Sequence, residues 1–285
     1  MGACCTNLLN IEFQSTLNAK NEEEIEFPPY SSIADSHLEC LEKDYNLLRY
    51  ITLVEYINLL SFYTLETTDI PLESPYKILF SYKDDFLCHS FNEELFENFI
   101  ANIILKNREL GETEVTFKEI YIELFKELNL KLREFFNDVN KKITKRDLIG
   151  LGILFCKTNN ISKMKILFDV FKNENEEFVQ SEELDEFLIC CFLISYHCLI
   201  STKKKLSQIN PMITEFTLED LNAVLKYIDV KLCQKLLNNF NFYFFDKDAF
   251  TWIQFKKKFE DKRNGFGWIF STKGIRQKLP EINQN

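Results

Sequence analysis

The sequence predicts a mainly α protein, and three observations carry that expectation. Apolar residues recur at helical spacing along most of the chain, strand-like runs are few and very short, and no glycine-rich loop breaks the pattern. The elements follow in order. Residues 1–30 read as a polar, flexible arm with an acidic run at Glu22, Glu23, Glu24 and Glu26, closed by Pro28 and Pro29, which work against helix continuation. From Ser32 to about Leu65 two helix-like stretches flank a break near Tyr50, Ile51 and Thr52, and Pro71 and Pro75 mark a linker. Residues 91–107 place Leu95, Phe96, Phe99, Ile103 and Ile104 on one helical face. Further helices are predicted at 117–128, 129–136, 145–156, 162–171 and 181–199. After Lys203–Lys205 and Pro211 another starts near Thr217, where Asp220 supplies a helix-start partner, and runs towards Asn239. A last helix covers roughly 252–263, and 265–285 reads as a Gly-containing polar tail.

Composition narrows the function. The chain has 285 residues, enough for one large domain or two small ones, and carries 44 acidic against 34 basic residues for a net charge of -10. That balance argues against a dedicated nucleic-acid binder, whose domain is usually basic. No run of 18 apolar residues is present, so no spanning helix is expected. The first residues lack the basic region and long apolar run of a secretory signal. Nine cysteines lie without the regular spacing of a disulfide framework, and reduced thiols are expected. The 28 phenylalanines imply an aromatic core without naming a ligand.

Met1-Gly2-Ala3-Cys4-Cys5-Thr6 fits the pattern for glycine myristoylation with adjacent palmitoylation. Gly2, Cys4 and Cys5 are therefore the expected lipidation sites. A myristoyl chain on Gly2 alone attaches weakly, and palmitate on Cys4 or Cys5 makes the attachment stable.

The most informative internal stretch is 143–184. Ile143, Thr144, Asp147 and Leu148 precede an apolar helix, a polar joint at Lys157–Asn160, and a second helix ending Leu167-Phe168-Asp169-Val170-Phe171. Then comes NENEEFVQSEEL at 173–184. Laid on a twelve-position calcium loop beginning at Lys172, Val179 takes the apolar pairing position and Glu183 the closing carboxylate. A preceding loop runs Phe136–Asp147, with Ile143 at its pairing position. These residues resemble the EF-hand superfamily, of the calcineurin-B-like and neuronal calcium sensor type, and the N-terminal pattern fits that class. The resemblance implies helix–loop–helix pairs and a hydrophobic groove that holds a target helix. Weaker repeats flank the stretch: Asp44–Glu55 with Ile51 at the pairing position, Arg108–Glu119 with Val115, and 250–259 with Gln254 where the closing carboxylate belongs. On this reading the chain divides into an acylated arm (1–30), an N-terminal helical region with degenerate EF-hands (31–130), a degenerate EF-hand pair (131–200), a C-terminal helical region (201–264) and the tail (265–285).

The ion chemistry argues against a calcium switch. A working loop needs several oxygen ligands and a tight turn at its sixth position. The 172 loop opens with Lys172 and has Glu177 in place of glycine. The 136 loop opens with Phe136, has Lys141 at the turn and closes with the shorter Asp147. The 44 loop has Leu48 and Arg49 across its middle. No metal site and no cofactor are expected, with the 44 and 172 loops as the sites to test.

The run 187–200 is apolar nearly all round, as in a helix that is buried or lines a groove. Cys191 and Cys198 share a face and His197 lies beside one of them, but zinc usually needs four ligands with short paired spacings. No motif positions a cysteine against His37, His89 or His197, so no enzyme activity is expected. Segment 256–278 is rich in Lys and Arg, suited to an anionic lipid surface or an acidic partner. The expected function is a non-catalytic adaptor on the cytoplasmic side of a membrane, peripheral and lipid-anchored, holding an amphipathic helix of a protein partner near 184–200. Phe187, Ile194 and Trp268 are the expected partner-binding residues. The alternatives are a calcium sensor with one surviving loop, or a structural subunit of a large assembly.

Overall fold

The computed structural model describes residues 46–62, 90–106, 114–209, 230–245, 247, 249–261 and 265–283. The chain divides into Met1–Tyr30 and Ser31–Asn285, and every described residue belongs to the second unit. Mainly helical structure is found. The described elements are α1 (Leu53–Phe62), α2 (Glu93–Lys106), α3 (Glu114–Phe136), α4 (Lys145–Phe155), α5 (Asn160–Phe171), β1 (Phe178–Val179), α6 (Glu182–Ile209), α7 (Val230–Phe244), β2 (Ala249–Phe250), α8 (Trp252–Glu260) and α9 (Thr272–Asn283), with 3-10 turns at Leu47–Tyr50 and Gly267–Phe270.

Among the described residues a local pattern recurs five times: a buried apolar residue in or next to a short backbone bridge, then a capping residue, then a helix. Ile51, Phe91, Ile143, Phe178 and Phe250 are the apolar residues, each at most 4% exposed. Thr52, Asn92, Thr144, Ser181 and Thr251 stand at the start of the following helix, where the first backbone N–H groups have no partner within the helix. Glu55 accepts from the Thr52 amide and hydroxyl, both at 2.8 Å. Asp147 does the same for Thr144 at 2.8 Å. Asn92 and Ser181 accept from the amides of Leu95 and Leu184, and the Thr251 amide donates to Gln254.

The bridges decide which loops are neighbours. Ser90 bridges Thr144 antiparallel, and the Phe91 amide donates to the Ile143 carbonyl at 2.8 Å. β1 pairs antiparallel with β2, with Phe178 opposite Phe250 and Val179 opposite Ala249. Lys157 donates to the Ile51 carbonyl in a parallel bridge at Thr52. The 136 and 172 loops, adjacent in sequence, therefore bond to different partners. The segment Arg108–Glu119 is no loop at its far end, since Val115 and Glu119 lie within α3. The segment that bonds to Ile143 is instead Ser90–Phe91, which lacks a closing acid and so offers no carboxylate signal in the sequence.

Helix α6 is the central rod. It packs against α3, α4, α7 and α9, as expected of a segment apolar on every side. On one side Phe96 stacks on Phe125 at 4.4 Å, while Phe99 meets the edge of Tyr56 at 5.1 Å. On the other, Phe178 touches Phe255 at 4.4 Å and Phe244 at 5.8 Å. Close approach is bought by glycine at one crossing: a Cβ on Gly152 would lie 2.6 Å from Tyr56 Cδ1.

Several expectations change in detail. Residues 117–136 form one helix rather than two, because Asn129 bonds back to the Phe125 carbonyl and accepts from the Ile143 amide without breaking α3. α6 runs on to Ile209, through Lys203–Lys205. The C-terminal segment read as a polar tail contains a 3-10 turn and α9. Thr217 and Asp220 lie outside the described residues.

Candidate functional site

Two features of the sequence point to function: the loops and the apolar helix α6. In the 172 loop the amine of Lys172 bonds both oxygens of Glu176 at 2.8 Å and lies 3.6 Å from Asp169. Asn173 accepts from the amides of Asn175 and Glu177. The left-handed residue is Glu176, at φ 60°, one position before the turn read from the sequence. The ladder shows the same one-residue offset, with Phe178 rather than Val179 opposite Phe250. Glu183 is exposed in the first turn of α6.

In the 136 loop Lys141 pairs with Glu186 of α6 at 2.7 Å and sits 4.6 Å above the Phe136 ring. Asp147 is spent on the Thr144 cap. Burial pushes its carboxyl above the usual range, against the Thr144 hydrogen bonds that pull it down. In the 44 loop, Leu47 and Leu48 are fully buried. Asn46 caps the Leu48 amide, donates to the Phe155 carbonyl at 3.0 Å and accepts from the Tyr121 hydroxyl at 3.1 Å. The Glu55 carboxyl is lowered by its bonds to Thr52. The described polar groups of these loops thus find protein partners: Lys172 meets Glu176, Lys141 meets Glu186 of α6, and Asn46 meets Phe155 and Tyr121. Among the described residues no group of three His, Cys, Asp or Glu converges as a metal site would.

On α6, Phe187 and Ile194 are 2% and 1% exposed, enclosed by the chain's own helices. Phe187 meets Phe171 at 5.1 Å. Trp268 is half-buried and stacks on Phe192 at 6.3 Å. The three expected partner-binding residues are not brought together: Ile194 lies among Phe96, Leu124, Phe125, Leu148 and Leu151 of α2, α3 and α4, Phe187 lies beside Phe171 and Gly150, and Trp268 belongs to the cover that α9 and the Gly267–Phe270 turn form over α6. Two buried cations fasten the cover. Arg276 of α9 donates to the Ser195 carbonyl at 3.2 Å, and Lys163 of α5 donates to the Phe270 carbonyl at 2.8 Å. Burial lowers the Lys163 ammonium to about 8. The basic C-terminal segment is consequently not one surface, because Arg276 faces inward.

Burial sets the remaining chemistry. The thiols of Cys156, Cys190 and Cys191 are pushed well above their ordinary value, so none is a ready thiolate. His197 is lowered to about 4 by burial and by Lys131. Gly2, Cys4, Cys5, His37 and His89 lie outside the described residues. Among the described residues no helix is long and apolar enough to cross a membrane.

No protein-family model matches this chain, and no curated protein or solved structure is significantly similar to it.

Proposed function

We propose that the chain is a non-catalytic, membrane-tethered adaptor built on degenerate EF-hand pairs, and that it holds an amphipathic helix of a protein partner against α6. The EF-hand reading is supported by helix, short bridged loop and capped helix occurring in succession, with bridges joining loop ends in pairs. The tether is supported by the acylation pattern at Gly2, Cys4 and Cys5. The observation that carries the adaptor reading is the cover on α6: a C-terminal helix of the chain itself occupies the face where a partner helix would lie. A surface that accepts one helix in this way suits another of similar character. In this reading the partner displaces α9, and calcium has no part in the exchange.

The test is purification of the full chain from a membrane fraction, with calcium or with chelator, in competition with a synthetic peptide of residues 265–283. The same partner under both ion conditions, released by the peptide, is the expected result. Capture only with calcium favours the sensor. Fixed stoichiometry unaffected by the peptide, by calcium and by Gly2→Ala favours a structural subunit.

A further inference from the structure

We propose that the outer face of α8, with Lys165 of α5 beside it, lies against an anionic phospholipid surface. The face follows from the helical repeat. Phe255 and Phe259 turn inward, at 0% and 5% exposure, which leaves Ile253, Lys256, Lys257 and Glu260 as the outward row. Ile253 is 78% exposed, far more than an apolar side chain needs on a helix with a buried side. Trp252 is half-buried at the start of the row. The ammonium of Lys165 stands 5.1 Å from its ring centre, which brings a third cation to the same place from the neighbouring helix. Acids are present as well: Asp169 bonds Lys165 at 2.9 Å, Glu260 lies 3.7 Å from Lys256, and the exposed Asp261 ends the row.

Tryptophan beside lysine, with one protruding aliphatic side chain, suits a membrane interface, where the ring and the alkyl stems reach the acyl boundary and the charges stay among the headgroups. The size of the face also favours lipid over protein. Nine residues of helix span about 13 Å, whereas a stable protein interface takes roughly 800 Å² from each partner. Charge gives the orientation. A chain of net charge -10 is repelled by an anionic leaflet unless it turns a less acidic side towards it, and residues 252–261 carry Lys256, Lys257 and Lys258 against Glu260 and Asp261.

This inference rests on the membrane-tethered reading, and the experiment keeps the two apart by using the full chain as Gly2→Ala, which cannot be myristoylated. Trp268→Phe is added so that Trp252 is the sole emitter of the two tryptophans. The probes are vesicles of phosphatidylcholine, alone or with about 30% phosphatidylserine. Sedimentation with the mixed vesicles only, with a blue shift of Trp252, is the expected result. Lys256→Glu with Lys257→Glu is expected to weaken partition by on the order of 25-fold, taking roughly fivefold for each lysine. Ile253→Asp weakens it without touching the inward row, and far-UV circular dichroism checks that both variants keep their helices. Equal binding to both vesicle types, no binding, or undiminished binding of the charge-reversed chain overturns the proposal. So does a Trp252 shift with soluble polyglutamate but not with vesicles, which assigns the face to an acidic protein.

Discussion

Phe178 stands opposite Phe250 in a two-residue antiparallel ladder, and both rings are buried to within 2% of complete enclosure. The ladder itself is short, so the rings rather than the backbone bonds hold the two loops together. Phe178→Ala should cost about 3–5 kcal/mol in urea unfolding, the range for a buried phenylalanine. Phe250→Ala should cost a similar amount, and the double variant less than their sum, because both rings pack on Phe244 and Phe245.

A second prediction concerns the crossing of α1 and α4. Gly152→Ala sets a methyl 2.6 Å from Tyr56 Cδ1, and Tyr56 cannot easily yield because its hydroxyl bonds the Leu148 carbonyl at 2.8 Å. The expected loss is about 1–3 kcal/mol by denaturant titration. Gly267→Ala, where a new methyl meets nothing within 4 Å, is the control and should leave the midpoint within a few tenths of a kcal/mol.

Calcium supplies the third. Calorimetric titration of the purified chain is expected to give no heat beyond a magnesium control, and Glu55→Gln and Glu183→Gln should change nothing in the titration. The reason is geometric: Glu55 is bonded to Thr52, and the Lys172 ammonium holds both oxygens of Glu176. Submillimolar binding lost in one of these variants would replace the adaptor with a sensor and name the active loop.

The fourth is a pH dependence. His197 is lowered in the folded chain from 6.5 to about 4, chiefly by burial. A depressed folded value means the unfolded chain binds the proton more readily. Stability from this group is therefore present above pH 6.5 and is lost as pH falls through about 4. The loss is roughly 3 kcal/mol, from the size of the shift. His197→Gln should flatten the difference in unfolding free energy between pH 7 and pH 4 by about that amount, while the carboxylates titrate alike in both chains.

Much of the helical framework was legible because buried helix faces repeat. Spacing puts Leu95, Phe96, Phe99, Ile103 and Ile104 on one face, and all are buried on α2 except the half-buried Leu95. Loop partners were harder. Ile143 stood out because Asp147 closes its loop, yet its neighbour Phe91 is followed three residues past the cap by Leu95 rather than an acid. Chain proximity also misled, since the 136 and 172 loops are successive but face different neighbours. The C-terminal helix was missed because its apolar residues are sparse, and Arg276 reads as surface although it is 3% exposed. An arginine that satisfies a helix carbonyl inside the protein carries no mark in the sequence.

The length of α6 has a consequence for how the chain comes apart. A single rod of 28 residues is walled by α3 and α4 on one hand and by α7 and α9 on the other. Neither group keeps its inner surface dry once the rod has melted. Heating should therefore give one sharp transition rather than two, with the slowest amide exchange in the middle of α6 and near-equal protection in the helices on both flanks. A fragment ending before Ser181 would expose the bare sides of α3 and α4 and should aggregate when expressed alone.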